Sequence, residues 1–259
     1  MRYGGNTSCV SMHNGDEPPF VFDLGTGLRY FGASWPSDRT FRGTALLTHL
    51  HWDHVQGLPF FVPLLRGRGA SLDVYAPVQE DGRSVHDAFD FFLRPPYFPV
   101  TLEDLGGKVT FTDLRDEERT VGRAHVMSRT VPHCGPTLGY RVTWDGVTVA
   151  YLSDHQQPSD GSCDVPPAAL ELCDGADLVI HDAQYTPAEF ARKCTWGHCT
   201  VDFAVRVAHQ SGAKRLALFH HDPLRDDEAL DELARETKEL ATCIGVEVMV
   251  ASEGLTVSL

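Results

Sequence analysis

The stretch Thr48-His49-Leu50-His51-Trp52-Asp53-His54, THLHWDH, follows the apolar run TALL and places four metal-ligating side chains within six positions. His49 and His51 lie two apart, so in a short extended turn both imidazoles can point to one side and bind one ion, a geometry and donor type that suit zinc. Asp53 and His54 are adjacent and can turn toward a second ion. The competing reading is a polar loop opening a helix at HVQGLPFF, but a solvated loop rarely gathers four such groups.

Working outward, polar residues of the same type close other apolar runs. His133 follows the SRTV run, Asp154 ends VTVAYLSD (147–154), and His220 and His221 end KRLALFHH (214–221). Strand ends converge at one sheet edge, so residues far apart in sequence can meet there. With His49 and His51 already paired, His133 offers the third nitrogen of a near-tetrahedral ion with one open position. The adjacent Cys134 ranks second, because a soft thiolate suits structural or redox sites. Asp154 can bridge two cations about 3.5–4 Å apart. Its alternative is a turn cap. His155 is read as facing away or supporting its neighbours. For His220 and His221, successive strand residues point to opposite faces, and both parities (Leu216, Leu218, His220 against Ala217, Phe219, His221) are apolar enough to be buried, so periodicity does not choose.

These runs, with DLVIHD (177–182), alternate with helix-like stretches, which makes the class α/β. Asp145-Gly146 between RVTW and VTVAYL is a two-residue hairpin signal. A helix is predicted from an N-cap at Thr200 to Gly212, and another over 226–242 with Leu230, Leu233, Thr237 and Leu240 on one face. The Pro- and Gly-punctuated segment 94–107 is predicted as a loop. The 259 residues show no repeat or linker and read as one domain, 1–259.

Seven cysteines, odd in number, widely spaced and without a C-x-x-C pair, argue against a disulfide framework and for a reducing cytoplasm. No run approaches the roughly 18 apolar residues of a membrane span, and the start MRYGGNTSCV has no signal-peptide core. A net charge of −14 counts against a long nucleic acid, which needs a basic track to replace its counterions. A small anion held by a local cationic centre is compatible with it.

Taken together, THLHWDH, His133, Asp154 and FHHDP resemble the metallo-β-lactamase superfamily, with H-x-H-x-D-H followed by distant His, Asp and His. YGGNTSCV, VFDLGTG, DLVIHDAQY and WGHCT resemble the branch of tRNase Z, PhnP-like and cyclic-nucleotide phosphodiesterases. The resemblance covers nearly the whole chain and implies an αββα sandwich holding two Zn2+, or Mn2+. It implies His49, His51 and His133 on the first ion, Asp53, His54 and His220 on the second, and Asp154 between them. It also implies that His198 assists the leaving group with Asp182 as its acidic partner, that Asp53 orients the nucleophile, and that Cys199 stands where Ser is usual. The branch has a few more residues ahead of YGGNTSCV than Met1-Arg2, so its first strand is expected to be short or missing. The Gly- and basic-rich clamp that grips tRNA has no counterpart.

The implied activity is hydrolysis of a small phosphodiester, first a cyclic nucleotide. The alternatives are a tRNase Z-like ribonuclease or a non-phosphate hydrolase such as a lactonase. An idle binding protein would be expected to lose ligands, and a di-iron oxygen-reducing protein to replace His51 by a carboxylate. Pro95-Pro96-Tyr97-Phe98-Pro99 puts two rings on a stiff frame, suited to stacking a base, with a hydrophobic plug or subunit contact of a homodimer as the equal alternative. Phe89, Phe91 and Phe92 are read as core and interface.

Overall fold

The structure, a computed structural model, describes all residues except Met1, Gly67, Arg68 and Gly161, and leaves out the side chains of 240–243. It resolves into two compact units, Asn6–Arg115 and Met1–Gly5 with Asp116–Leu259. The boundary at Arg115–Asp116 carries no change of composition.

The first unit holds a five-stranded sheet in the order β1 (Val10–Met12), β2 (Phe20–Phe22), β3 (Arg42–Leu46), β4 (Ser71–Pro77), β5 (Lys108–Leu114), antiparallel between β1 and β2 and parallel thereafter. Its helices are α1 (Gly27–Ser34), α2 (Trp52–Val55), α3 (Val62–Leu65) and α4 (Val85–Phe92). β2 is buried at every residue, as a strand covered on both faces must be. The core packs Leu24, Phe41, Phe61, Leu72 and Phe89, and truncating one of these rings to alanine would cost about 3–5 kcal/mol. Phe89 is buried, whereas Phe91 is exposed.

The second unit holds β6 (Glu117–Val121), β7 (Ala124–Thr130), β8 (Leu138–Trp144), β9 (Val147–Leu152), β10 (Leu178–Asp182), β11 (Arg215–Phe219) and β12 (Glu247–Val250). The sheet order runs from β12 to β6; β9 to β12 pair parallel and β6 to β9 antiparallel. Asp145 and Gly146 join β8 to β9 with positive φ at both positions (50° and 86°), the two-residue turn that matches strand twist.

The helices of this unit are α5 (Pro167–Cys173), α6 (Pro187–Lys193), α7 (Val201–Gln210) and α8 (Asp227–Ile244). The Thr200 hydroxyl caps α7 by accepting the Phe203 N–H at 3.1 Å, and Gly212 with φ +66° stands just beyond its end. On α8, Leu230, Leu233 and Thr237 are buried as their spacing predicts, while the side chain of Leu240 lies outside the described residues. The 94–107 loop contains a single 3-10 turn, Leu102–Asp104, closed by a capping box from Thr101. Among the described residues no helix is long and apolar enough to cross a membrane, and Cys9, Cys134, Cys163, Cys173, Cys194 and Cys199 are free thiols.

Candidate active site

In the first unit the donors of THLHWDH meet around one buried carboxylate that sequence reasoning missed. Asp23 follows β2 with φ +57° and is fully buried. Its Oδ1 accepts the Thr48 N–H at 2.8 Å, and the Thr48 hydroxyl donates to it at 3.0 Å. Its Oδ2 lies 2.9 Å from His54 Nδ1. Since a carboxylate only accepts, the proton sits on His54 Nδ1, which leaves the Nε2 lone pair able to bind a metal. The same logic runs through Thr48, whose hydroxyl donates to Asp23 and therefore accepts from His49 Nδ1 at 3.0 Å.

The His49 ring lies 4.3 Å from that of His51 and 4.2 Å from that of His54, centroid to centroid. Asp53 reaches to 3.3 Å of His54 Nε2. The backbone makes this crowding possible. A side chain at Gly25 would stand 2.3 Å from the Asp53 carbonyl, and one at Gly57 would stand 2.0 Å from that of Gly25, so the glycines let the loop after β2 and the end of α2 touch. All four predicted donors of this unit are brought together.

The second unit gathers its donors from separate segments. Asp154, beyond the end of β9, is nearly wholly buried. Its carboxylate lies 3.7 Å from His133 Nε2, 3.7 Å from His198 Nδ1 and 3.5 Å from His220 Nε2. Ligand atoms of Asp154, His198 and His220 all fall within 4.8 Å of one another. His133 Nδ1 donates to the Gly197 carbonyl at 2.7 Å, which again orients Nε2 outward. Gly197 has φ +93°, and a side chain there would stand 2.4 Å from the His133 ring.

Asp182, the last residue of β10, is fully buried and binds His198 Nδ1 at 2.9 Å. The His155 N–H donates to the same oxygen at 3.1 Å, and the Gln184 N–H to the other at 3.0 Å. His198 stacks on His220 with centroids 5.0 Å apart. The two adjacent histidines that periodicity left open part company here. His220, with φ +55°, turns toward Asp154, while His221 donates from Nε2 to the Ala251 carbonyl at 3.1 Å and meets the Tyr3 ring edge-on.

Behind this set lies a buried relay. His181 Nδ1 donates to the Asp182 carbonyl at 2.7 Å, so its Nε2 accepts the proton of His155 Nδ1 at 2.9 Å. Burial pushes both imidazoles below their ordinary range, which keeps them neutral. Burial, reinforced by Asp182 and Asp154, pushes the Cys199 thiol well up, and it donates to the same Asp182 carbonyl at 3.0 Å. Cys199 is thus held as a protonated donor. Cys134 faces away as an exposed thiol donating to the Thr195 carbonyl at 3.6 Å.

Imidazole nitrogens with fixed Nδ1 protons, together with carboxylate oxygens, are the donors that bind zinc and related divalent ions. The residues of each unit fit such ions. The chain matches the Beta-lactamase superfamily domain over residues 34–221, and with that match it belongs to the metallo-β-lactamase superfamily of metal-dependent hydrolases. It is 25% identical to Ribonuclease Z of Brevibacillus brevis over 85% of this chain and 82% of that protein. The metallo-β-lactamase fold protein YhfI from Bacillus subtilis superposes with a TM-score of 0.71 at 20% identity, over 98% of this chain and 94% of that one. A diphosphatase from the PhnP family superposes with a TM-score of 0.69 at 20% identity, over 98% and 84%.

Proposed function

We propose that the protein is a binuclear metal-dependent phosphodiesterase for a small phosphodiester, with a cyclic nucleotide as leading substrate. On this reading His49, His51 and His133 hold one ion, Asp53, His54 and His220 hold the other, and Asp154 is shared. Two zinc ions, or manganese, would supply Lewis acidity and lower the pKa of water into the neutral range. The chain's own residues do the rest. Asp53 orients the attacking water. Asp182 holds His198 through Nδ1, and His198 delivers the Nε2 proton to the departing alkoxide.

The observation that carries this reading is the His198–Asp182 pair, 2.9 Å apart, with the same His198 nitrogen 3.7 Å from Asp154. An alkoxide leaving from phosphorus needs that proton. A net charge of −14 favours a small substrate over tRNA. The ribonuclease reading draws its support from the Brevibacillus brevis relative.

Metal-reconstituted protein assayed on cyclic mononucleotides, cyclic dinucleotides, precursor tRNA and a lactone separates the three. Turnover of a cyclic nucleotide with tRNA left intact is expected. Comparable rates on precursor tRNA would move the assignment to the ribonuclease, and hydrolysis of the lactone alone would remove the phosphodiester from it.

A further inference from the structure

One large side chain of α2 is left exposed. Trp52 stands between His51 and the pair Asp53–His54, and 69% of it is exposed, although an indole is among the most favourable side chains to bury. It edges a cleft of about 200 Å³ within the first unit. The other walls are Phe60, Phe92 at the end of α4, and Tyr97 and Phe98 of the 94–107 loop. Phe60 and Phe98 meet edge to face with centroids 5.8 Å apart, while Tyr97 is 62% exposed. None of the described lining residues is charged, and Gln56, the residue just after α2, brings an amide to the wall.

We infer that this cleft takes one nucleobase of the substrate, stacked on Trp52 and Tyr97 and read at its edge by Gln56. The inference rests on the phosphodiesterase reading and names the substrate class as nucleoside phosphodiesters. An aromatic, uncharged wall suits the π-face of a base and offers no charge to a phosphate. A primary amide carries both a donor and an acceptor, the pattern that a base edge presents. The volume lies below the roughly 300 Å³ at which pockets begin to hold drug-sized molecules, so one ring system fits and a stacked pair does not. Trp52 precedes Asp53 and His54 on the same single turn, so a base held there brings its own phosphate to those donors.

The test uses two p-nitrophenyl diesters with one leaving group, those of thymidine 5′-phosphate and of ethyl phosphate, on metal-reconstituted protein. The wild type is expected to prefer the thymidine ester in kcat/KM by about 10- to 100-fold, through KM, the range that stacking one base supplies. That preference should collapse in Trp52→Ala and in Tyr97→Ala, both substitutions of exposed side chains. Independently, thymidine alone should quench the wild-type tryptophan fluorescence and fail to do so in Tyr97→Ala. Equal use of the two esters without thymidine binding overturns the base cleft and leaves the phosphodiesterase standing. Thymidine binding that Tyr97→Ala abolishes, with neither ester cleaved, supports the cleft and overturns the phosphodiesterase. Failure of both readouts overturns both.

Discussion

The two units assemble their donors in opposite ways. In the first, four donors lie within His49 to His54, and a single buried carboxylate, Asp23, fixes two of their rings directly or through Thr48. In the second, His133, Asp154, Asp182, His198 and His220 come from five segments, with His133 held by the Gly197 carbonyl and His198 by the Asp182 carboxylate. A local set is vulnerable at its shared support, whereas a dispersed set is vulnerable at each member. The dispersed set also contains His198 and Asp182, the pair proposed to supply the proton.

The largest effect is expected where the dispersed set converges. Asp154→Ala should lower the metal content from about two equivalents to one or fewer and abolish turnover, read by elemental analysis beside activity. Full retention of both ions would remove Asp154 from the ligands. His220→Ala should likewise abolish turnover. His221→Ala should cost only the bond to Ala251, about 0.5–1.5 kcal/mol of stability in a melting experiment. The reverse ranking would mean that His221 is the ligand.

A smaller loss belongs to the proton donor. His198→Ala should lose about 10²–10⁴-fold on a substrate with an alkoxide leaving group and keep its metal. On a p-nitrophenyl diester, whose phenolate leaves unaided, the loss should be slight. Equal losses on both would make His198 a positioning residue. The smallest effect tests the shared support. Asp23→Asn should weaken metal affinity about 10- to 100-fold with the fold intact, and an unchanged affinity would show that the local set orders itself.

This contrast also governs what could be read from the sequence. The donors of THLHWDH were legible because they are contiguous, and β9, β10 and β11 because buried parallel strands are apolar runs closed by polar residues. The Asp145-Gly146 hairpin and the Thr200 cap were legible because their chemistry is local. Asp23 was not. Inside VFDLGTG it looks like any turn aspartate, and its purpose appears only when Thr48 and His54, 25 and 31 positions later, fold onto it. The strand β6, EERTV, was equally hidden, because its charged and part-exposed residues give no apolar run. The choice between His220 and His221 came from resemblance alone, since the positive φ that separates them breaks the alternation on which strand parity relies.

That left-handed backbone at His220 places evolvability and stability in opposition at one position. A side chain with a Cβ gives up about 1 kcal/mol in this conformation relative to glycine. Screens that reward thermal resistance or soluble expression would therefore drift toward glycine at 220, and a better-behaved protein would emerge without the proposed ligand. On the proposed ligand set, any stabilisation of this scaffold has to hold position 220 fixed.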